Sequence, residues 1–441
     1  MQISTKQLST FEFELFKRFS SHDILPVANK WKNKLFSQTS AIKVGIAGEL
    51  RRGRSSVSHI DVVVSTDNIK DTILEISQLS GIFVFRKQSR NVVEVELDIG
   101  IKILIWLTDP SAYATALLYT TGPVSHTDWL NSVAFHANKR VSFHGCWFHH
   151  KPHPLLTEAD IYRFLDLPYF PPEVRENDFS NTNIFDIYFQ DLIKPADIQS
   201  DLHMHTCVSD GKNTLEEMIN AAIEQRLKTI AITDHSPLVL KPRYENPDYF
   251  LAQHKIIDDL QEKYRHQISI LKGAEVDILP DGSLDLPARI LKKMDIVVAS
   301  LHVALGQSRE VNTKRVISAI ENPYVNIIGH PGGRLYPMHD NVELDWERIY
   351  HACAFNQVAL EINSHKSHPL FDDQKVRAAL NAGAPICLNS DAHASSMLGQ
   401  SIFGLNIARR AMVERFQIIN TWSHNHLNAW LRRKKLTARE Q

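Results

Sequence analysis

Residues 229–236 read TIAITDHS and contain the unit that repeats through the second half of the chain. The unit starts with a short run of apolar and β-branched residues, continues with a polar loop and ends with a segment of helical spacing. Its apolar runs lie at residues 229–232, 295–299, 325–328, 358–362 and 385–388. Strands that are buried on both faces and alternate with helices form parallel sheets or (β/α) barrels. The repeat therefore predicts an α/β fold over residues 199–400.

One of the intervening helices can be located in detail. Thr214 and Glu217 have the spacing of a capping box, in which each side chain bonds the backbone N–H of the other residue. Apolar residues behind this box share one helical face: Leu215, Met218, Ile219, Ala222 and Ile223. The pattern predicts an amphipathic helix that packs on the sheet.

The first part of the chain has a different pattern. Strand-like runs lie at residues 42–46, 60–64, 92–97 and 101–107, and a helix is predicted near residues 69–80. Residues 111–175 look mainly helical and then become rich in proline. Clusters of proline, asparagine and aspartate between Pro168 and Pro195 predict a linker. We therefore expect a small α+β sheet that is separate from the barrel-like half.

The composition is that of a globular protein, with 43% hydrophobic and 22% charged residues among 441. The sequence has no apolar run of the roughly 18 residues that a membrane span needs, and its first residues do not form a secretory signal. Its four cysteines lie far apart without a CxxC pair, which predicts reduced thiols, three of them in the core. These features predict a cytoplasmic protein that does not bind a membrane.

The formal net charge of -1 gives no general attraction to nucleic acid, so DNA binding would require local basic patches. Two candidates are the sequences RRGR at residues 51–54 and RRKK at residues 432–435. For the second we predict a solvated helix end.

Nine metal-type side chains follow the predicted strands, one strand after another. They are His203, His205, Asp210, His235, Glu275, His302, His330, Asp391 and His393. The carboxyl ends of barrel strands converge at one mouth, where active sites are built. Imidazole and carboxylate suit Zn²⁺, Mn²⁺ or Fe²⁺, and nine ligands exceed what one tetrahedral ion needs, so two or three ions are expected. Such a centre predicts hydrolysis of a phosphate ester, which needs an activated water and a stabilised leaving oxygen.

Simpler interpretations exist for single members of this set. His235 alone could be a buried histidine with its hydrogen bonds satisfied, and Asp210 before Gly211 could form a turn. Nine such positions, each next to a strand, favour the metal centre. A second group of histidines lacks a strand context and is predicted to lie in a surface loop: His144, His149, His150 and His153.

The motifs of the second half resemble those of a known family. They are DLHMHTCVSDG (201–211), ITDHS (232–236), GAEVDILPDGSLDLP (273–287), ASLHVAL (299–305), NPYVNIIGHPGGRL (322–335), ALEINS (359–364) and NSDAHA (389–394). They are similar to the PHP domain of the polymerase and histidinol phosphatase superfamily, in the form fused to bacterial family X DNA polymerases. The resemblance implies a distorted (β/α)7 barrel, a trinuclear manganese or zinc centre, and 3′–5′ exonuclease or abasic-site and 3′-end processing activity. All nine ligand positions of the family are filled.

The first half resembles the same polymerases but departs from their palm motif. Residues 47–64, AGELRRGRSSVSHIDVVV, are similar to a turn that holds a nucleotide triphosphate, followed by an Asp-x-Asp pair that holds two magnesium ions. The first aspartate is replaced by His59, so that Asp61 alone remains, and Leu104 stands where a third carboxylate is expected. Glu49 replaces a phosphate-contacting serine and would repel a phosphate. A two-magnesium clamp cannot form from one carboxylate, so we expect polymerisation to be lost.

Two further segments resemble the polymerase thumb, namely YTTGPVSH (119–126) and DIYRFLDLPYFPPEVRE (160–176). The predicted domains are a nucleotidyltransferase-like palm at 1–110, a helical or α+β thumb at 111–176, a linker at 177–198 and the PHP barrel at 199–441. The helix-hairpin-helix domain that usually precedes this palm is expected to be missing.

Three functions remain open from the sequence. The first is a nuclease or 3′-end phosphoesterase acting on single-stranded or gapped DNA, with Arg51, Arg52 and Asp61 as remnants of nucleotide binding. The second is a phosphomonoesterase for a small molecule, and the third is a non-catalytic scaffold that binds DNA ends. Arg334 is a candidate clamp for a substrate phosphate, because its guanidinium fork binds phosphate in a bidentate manner.

Overall fold

The computed structural model describes residues 18–179, 189–240, 247–334, 340–366 and 371–437. The chain forms two compact units, Met1–Gln190 and Asp191–Gln441. The finer division at residues 110, 176 and 198 stays a prediction. Within the described ranges, no helix is long and apolar enough to cross a membrane.

The first unit contains ten strands and six α-helices among its described residues. The strands are β1 (Phe19–Ser20), β2 (Lys43–Ala47), β3 (Ser56–Val57), β4 (Ile60–Ser65), β5 (Val84–Lys87), β6 (Val92–Glu96), β7 (Lys102–Thr108), β8 (Lys139–Ser142), β9 (Gly145–Phe148) and β10 (Lys151–Pro152). The helices are α1 (Ser21–Gln38), α2 (Gly48–Arg51), α3 (Ile69–Ser77), α4 (Tyr113–Thr121), α5 (Val124–His136) and α6 (Glu158–Phe164).

A five-stranded sheet in the order β2-β4-β7-β6-β5 forms the centre of this unit. Strands β4 and β7 are parallel, and the other neighbours are antiparallel. One face of β7 presents Ile103, Ile105 and Leu107, all fully buried against α1 and α3. Four of the strands follow the predicted runs. The fifth, β5, was not predicted, because it is an edge strand whose residues are half-buried or exposed and lack an apolar pattern.

The segment after this sheet is only partly helical. Helices α4 and α5 agree with the prediction, but β8, β9 and β10 then form an antiparallel sheet. These strands are two to four residues long and carry few buried side chains, so their sequence has too little alternation to indicate strands.

The second unit contains nine strands and nine α-helices among its described residues. The strands are β11 (Ser200–Asp201), β12 (Thr229–Ile232), β13 (Ser269–Asp277), β14 (Ile296–Ser300), β15 (Ile327–Ile328), β16 (Gly333–Arg334), β17 (Asp340–Asn341), β18 (Ala359–Asn363) and β19 (Ile386–Asn389). The helices are α7 (Leu215–Glu224), α8 (Pro237–Leu240), α9 (Tyr249–Tyr264), α10 (Ala288–Leu291), α11 (Arg309–Glu321), α12 (Trp346–Asn356), α13 (Asp373–Asn381), α14 (Ile402–Arg410) and α15 (His424–Thr437).

Seven parallel strands form the predicted barrel, in the order β11-β12-β13-β14-β15-β18-β19. The two outer strands meet beyond their ends, where the Asp391 N–H donates to the His203 carbonyl at 3.0 Å and the His205 N–H donates to the Ala392 carbonyl at 2.9 Å. The seven-stranded α/β barrel expected from the resemblance is thereby confirmed.

Strand β13 extends through Glu275, which the sequence was expected to place after the end of a strand. Its first half pairs with β12 and its second half, from Gly273 to Asp277, pairs with β14. Glu275 therefore lies within the strand and not beyond its end, as the sequence had suggested. Pairing with β14 supplies the second half of β13 with the backbone hydrogen bonds that β12 does not provide.

The capping box of α7 is confirmed. The Glu217 N–H donates to Thr214 Oγ1 at 3.3 Å, and the Thr214 N–H donates to Glu217 Oε2 at 2.7 Å. Behind the box, Met218, Ile219 and Ala222 are fully buried. The helix packs its apolar face against the barrel, as its spacing predicts.

Candidate metal centre

The barrel brings all nine predicted side chains to one mouth. His203, His205 and Asp210 follow β11, and His235 follows β12. Glu275 projects from β13, His302 follows β14 and His330 follows β15, while Asp391 and His393 follow β19. The carboxyl ends of parallel strands meet at this edge, so residues that are up to 190 positions apart in sequence become neighbours.

Glu275 is the carboxylate on which the imidazoles converge. Its Oε2 lies 2.9 Å from His235 Nδ1, 3.4 Å from His203 Nε2 and 3.5 Å from His205 Nε2. Its Oε1 lies 2.8 Å from His330 Nε2 and 3.5 Å from His302 Nε2. Five rings from four loops therefore surround one buried carboxylate.

Two further carboxylates extend the cluster. Asp391 Oδ1 lies 3.0 Å from His205 Nε2 and 3.6 Å from His203 Nε2. Asp210 Oδ2 lies 3.2 Å from His393 Nε2 and 3.5 Å from His235 Nε2. The ligand atoms form three groups compact enough to hold an ion: His205, Asp210, His235 and His393; His203, His205 and Asp391; and His235, Glu275 and His302.

A second layer of carboxylates, which the sequence analysis did not select, orients the histidines. Glu361 Oε1 accepts from His203 Nδ1 at 2.8 Å, and Asp277 Oδ1 accepts from His302 Nδ1 at 2.9 Å. An ionised carboxylate only accepts, so both rings carry a proton on Nδ1 and turn Nε2 toward Glu275. Both acids lie inside the quoted family motifs, but only the fold shows that they face a ligand ring.

Glu361 has a complete set of donors. Besides His203, it accepts from Asn389 Nδ2 at 2.8 Å, from Asn363 Nδ2 at 2.9 Å and from the His330 backbone N–H at 2.8 Å. Its side chain is fully buried. These bonds occupy both oxygens, so Glu361 supports the ligands without being placed as one of them.

Asp234 holds the loop that presents Asp210. It accepts from the Thr206 N–H at 2.8 Å, from Thr206 Oγ1 at 2.7 Å and from Ser209 Oγ. Gln253 Nε2 from α9 donates to it at 2.5 Å. Asp234 directly precedes His235 in sequence, but its side chain stabilises the neighbouring loop and does not join the ligand cluster.

The electrostatics of the mouth favour positive charge. Burial lowers the pKa of His203, but Glu361, Asp391 and Glu275 outweigh burial and raise that pKa well above its usual value. For Glu275 burial acts in the other direction and raises the pKa, but His235 and His203 outweigh it and hold that pKa well below the usual range. A divalent ion would supply the same stabilisation in place of the imidazole protons.

The orientation of the ring nitrogens fits metal ions. His203 Nε2, His205 Nδ1 and His235 Nδ1 are buried and have no hydrogen-bond partner of acceptable geometry among the described residues. Buried polar atoms are normally satisfied, so three such nitrogens in one mouth need an explanation. Neutral imidazoles with lone pairs directed at shared space are suitable ligands for Mn²⁺, Fe²⁺ or Zn²⁺.

The backbone at two site residues is unusual. His330 has φ 25° and Asp391 has φ 52°, in the left-handed region that non-glycine residues rarely adopt. The adjacent Gly329 is tightly enclosed, since a Cβ there would lie 2.4 Å from Ser300 Oγ. Such conformations persist where the surrounding fold imposes them, and they are concentrated at functional sites.

Comparison with known proteins agrees with this geometry. The family model of the PHP domain matches residues 201–365, and that of the DNA polymerase beta thumb matches residues 116–176. The DNA polymerase/3′-5′ exonuclease PolX of Bacillus subtilis (strain 168) is 30% identical over 427 residues, which cover 95% of this chain and 73% of the relative. The chain belongs to the PolX family. Its barrel is thus a PHP-type metal-dependent phosphoesterase domain.

The PHP domain of this PolX-family protein also resembles shorter proteins. A "Probable phosphatase" of Thermoanaerobacter sp. (strain X514) is 35% identical over 247 residues, which cover 53% of this chain and 95% of the relative. "Probable phosphatase YcdX" of Escherichia coli O81 (strain ED1a) is 32% identical over 210 residues, or 45% of this chain and 80% of the relative. The barrel therefore has relatives both with and without a polymerase-like half.

The palm of this PolX-family protein pairs its remaining acid internally. Asp61 Oδ2 lies 3.1 Å from His59 Nε2, and Asp61 Oδ1 accepts from Trp106 Nε1 at 2.9 Å. Leu104 is the direct neighbour of Asp61 in the β4–β7 register. Of the three carboxylate positions of the palm cleft (59, 61 and 104), only position 61 holds a carboxylate. Both oxygens of Asp61 are engaged, whereas a two-ion clamp needs several carboxylates.

The two arginines of the palm turn are engaged by acids of the thumb-like segment. Arg51 Nη2 lies 2.5 Å from Glu158 Oε2, and Arg52 Nε lies 2.7 Å from Glu176 Oε1. Glu158 also pairs with the fully buried Arg175 at 2.9 Å. These ion pairs engage Arg51 and Arg52 within the first unit, and their contact with nucleotide phosphates stays a prediction.

The remaining predicted positions lie outside the cluster. The side chain of Arg334 lies outside the described part of the structure, so its phosphate contact stays a prediction. The four histidines at 144, 149, 150 and 153 are exposed. Cys146, Cys353 and Cys387 are buried and form no disulfide within the described residues, as predicted for core thiols.

Proposed function

We propose that this protein is a 3′–5′ exonuclease or DNA 3′-end and abasic-site processing enzyme that has lost polymerase activity. The observation that carries the proposal is the convergence of the imidazoles on Glu275. The similarity to a relative named DNA polymerase/3′-5′ exonuclease, over 95% of this chain, supports DNA as the substrate.

The proposed cofactors are two or three divalent ions, with Mn²⁺, Zn²⁺ and Fe²⁺ all compatible with the ligand types. The ligand group of His205, Asp210, His235 and His393 shares His205 with the second group and His235 with the third. Shared ligands suit neighbouring ions better than isolated ones. When bound, such ions acidify water, bind phosphoryl oxygens and stabilise a leaving alkoxide.

The exposure of the ligands indicates where the substrate enters. His203 and His205 are fully buried, whereas the side chains of Asp210, His393 and His302 are 44%, 25% and 23% exposed. The scissile phosphate would approach from this side. Asp210 and His393, whose facing atoms lie 3.2 Å apart, therefore belong to the exposed edge of the ligand cluster.

The proposed loss of polymerisation follows from the palm cleft. His59 and Trp106 engage both oxygens of Asp61, and Leu104 offers none. Glu49 is held by Arg18 at 2.8 Å, so a carboxylate occupies the turn that would otherwise receive a triphosphate. A Mg²⁺ ion requires several hard oxygen ligands in octahedral geometry.

The test uses purified full chain with Mn²⁺ and three substrates: a single-stranded oligonucleotide with a 3′-hydroxyl, histidinol phosphate and an aryl phosphate monoester. The nuclease proposal expects stepwise shortening of the oligonucleotide that Asp391→Asn abolishes and Asp61→Asn leaves intact. Extension of a primed template by deoxynucleotides, lost in Asp61→Asn, would refute the inactive-palm proposal.

A small-molecule phosphomonoesterase is the second candidate. The observation that favours it is the 35% identity of the barrel to a relative named "Probable phosphatase" that the match covers almost completely. Turnover of the two monoesters without shortening of the oligonucleotide would support it. Metal binding without hydrolysis of any of the three substrates would instead support the DNA-end scaffold.

A further inference from the structure

A pocket in the first unit lies outside both the metal centre and the nucleotide-binding turn. It has a volume of about 720 Å³ and is lined by the β5–β6 loop, the end of β7 and the β8–β9 turn. Its distinctive lining residues are Arg90, Asn91, Trp106, Asp109, Phe143 and His144. Trp106 is the only one of these six residues that also takes part in the palm motif, through its hydrogen bond to Asp61.

The first property of the pocket is a row of aromatic rings. Trp106 and Phe143 have ring centroids 6.1 Å apart at an angle of 50°, and Phe143 meets His144 edge-on at 5.2 Å. Trp106 and Phe143 are both half-buried and both line the pocket. The hydrogen bond from Trp106 to Asp61 fixes the indole in place. A fixed, partly exposed aromatic surface is suited to stacking a planar ligand.

The second property is a set of polar groups without partners. Arg90 is exposed and makes no hydrogen bond or ion pair with another described residue. Asn91 Oδ1 is buried and has no hydrogen-bond partner in the described part of the chain. Asp109 adds an exposed acceptor at the same opening. The pocket thus offers Arg90 as a cation for a phosphate and Asp109 as an acceptor for the polar edge of a ring.

We infer that this pocket binds a nucleotide by stacking its base on Trp106 and Phe143, with its phosphate near Arg90. A purely apolar ligand would interact with neither Arg90 nor Asp109, the two exposed charged residues at the opening of the pocket. A nucleobase has a planar π-face and a polar edge, and its phosphate carries the negative charge. The source is either a base of a single-stranded nucleic acid or a free mononucleotide. The inference does not rest on the proposed hydrolysis.

The test measures binding of a fluorescent single-stranded oligonucleotide to the full chain in the presence of a metal chelator, so that no cleavage occurs. A second probe of equal length carries abasic sites throughout and keeps only the sugar-phosphate chain. Phe143→Leu retains apolar bulk but removes the ring. It is expected to weaken binding of the base-containing probe by on the order of tenfold, because base–aromatic stacking contributes that much affinity. Binding of the abasic probe is expected to be unchanged.

Two further variants keep the inference falsifiable. Arg90→Gln changes an exposed side chain and is expected to weaken both probes, with a smaller dependence on salt. Phe135→Leu, on a ring that is 77% exposed on α5 and does not line the pocket, is the matched control and is expected to bind as the wild type does.

The outcomes separate this inference from the proposed function. Displacement of the probe by adenosine monophosphate would identify free nucleotide as a ligand of the pocket. The inference would be overturned if Phe143→Leu and Arg90→Gln both bound each probe with the same affinity as the wild type. Hydrolysis of the aryl phosphate monoester by Phe143→Leu is expected to equal that of wild type, so a failed pocket and a failed metal centre give different results.

Discussion

The barrel mouth and the palm cleft both carry residues of a motif for divalent ions. Their side chains differ in the partners that they contact. At the mouth, buried imidazoles surround Glu275, and Glu361 and Asp277 fix the ring orientations from behind. In the cleft, Asp61 is hydrogen-bonded by Trp106 and lies beside His59, and Leu104 faces it. The mouth has buried ring nitrogens that lack a well-oriented hydrogen bond among the described residues. In the cleft, Trp106 and His59 engage both oxygens of Asp61.

The difference shows that a metal site depends on the partners behind and beside its ligands as much as on the ligands themselves. The cleft retains its sheet, its register and a core of fully buried aliphatic residues. The sheet does not depend on a complete ion site, because burial of apolar area stabilises it independently of that site. Four experiments would break or sharpen this comparison.

The largest expected effect separates the two sites directly. Asp391→Asn removes a carboxylate from the mouth, and we expect Mn²⁺-dependent phosphate ester hydrolysis to fall by at least about 100-fold, more than the loss of an outer-shell partner costs. Asp61→Asn in the cleft should leave the rate unchanged. Rates of aryl phosphate hydrolysis under identical metal concentrations check both. Equal losses in the two variants would contradict the comparison.

The next effect concerns the ion pairs that engage the palm arginines. Glu158 is 6% exposed and lies between Arg51 and Arg175. Glu158→Gln would leave buried guanidinium charge without its counter-ion, which lowers the free energy of unfolding by about 3–5 kcal/mol. Urea denaturation of the full chain, followed by a probe in the first unit, checks this value.

A matched control exists in the same unit. Asp166 pairs with Lys139 but its side chain is 85% exposed, so Asp166→Asn should change stability by less than about 1 kcal/mol. Retained aryl phosphate hydrolysis in Glu158→Gln would show that the barrel site is intact. A loss as small as that of the control would show that the buried ion pairs are not needed.

A smaller effect tests the carboxylates behind the ligands. Glu361→Gln keeps the shape of the side chain but replaces one acceptor by a donor. Either His203 and Asn389 or His330 and Asn363 then lose the oxygen to which they donate. We expect Mn²⁺ affinity to fall by about 10- to 100-fold. Calorimetric titration of the metal-free protein measures the change, with the exposed Glu347→Gln as control. Unchanged affinity would show that Glu361 has a packing role alone.

The smallest effect is the pH dependence of the first unit. Burial, assisted by the nearby Arg175, lowers the pKa of His126 to about 3 from its usual 6.5. The unfolded chain therefore binds a proton that the folded chain excludes, and stability falls as the pH decreases from 6.5 toward 3. The slope is at most about 1.4 kcal/mol per pH unit.

This pH effect can be separated from that of Glu158. The pKa of Glu158 is raised by burial but lowered more strongly by Arg175 and Arg51, to about 2, so its contribution is lost only below its usual value of 4.5. Urea denaturation between pH 7 and 5, followed by a probe in the first unit, is thus insensitive to Glu158, and comparison with a His126 variant isolates the contribution of His126. His126→Gln keeps a polar atom near Tyr162, with which His126 Nε2 is hydrogen-bonded at 2.8 Å, and should remove the slope. A slope that persists in this variant would assign the effect to another group.

The sequence by itself determined the barrel and its nine convergent side chains. Both follow from local patterns, since buried strands such as Thr229–Ile232 are continuous apolar runs and each metal-type residue lies at or near the end of one. The sequence also identified the damaged palm, because His59 and Leu104 occupy positions of a recognisable motif.

The tertiary structure alone decided which groups stand behind the ligands and which compete for them. Glu361 is 158 positions from His203, and Glu158 is 107 positions from Arg51, so no local pattern connects either pair. The extension of β13 through Glu275 likewise depends on a second partner strand. Ligand types are a property of residues, but hydrogen bonds and ion pairs between distant residues are set by how the chain folds.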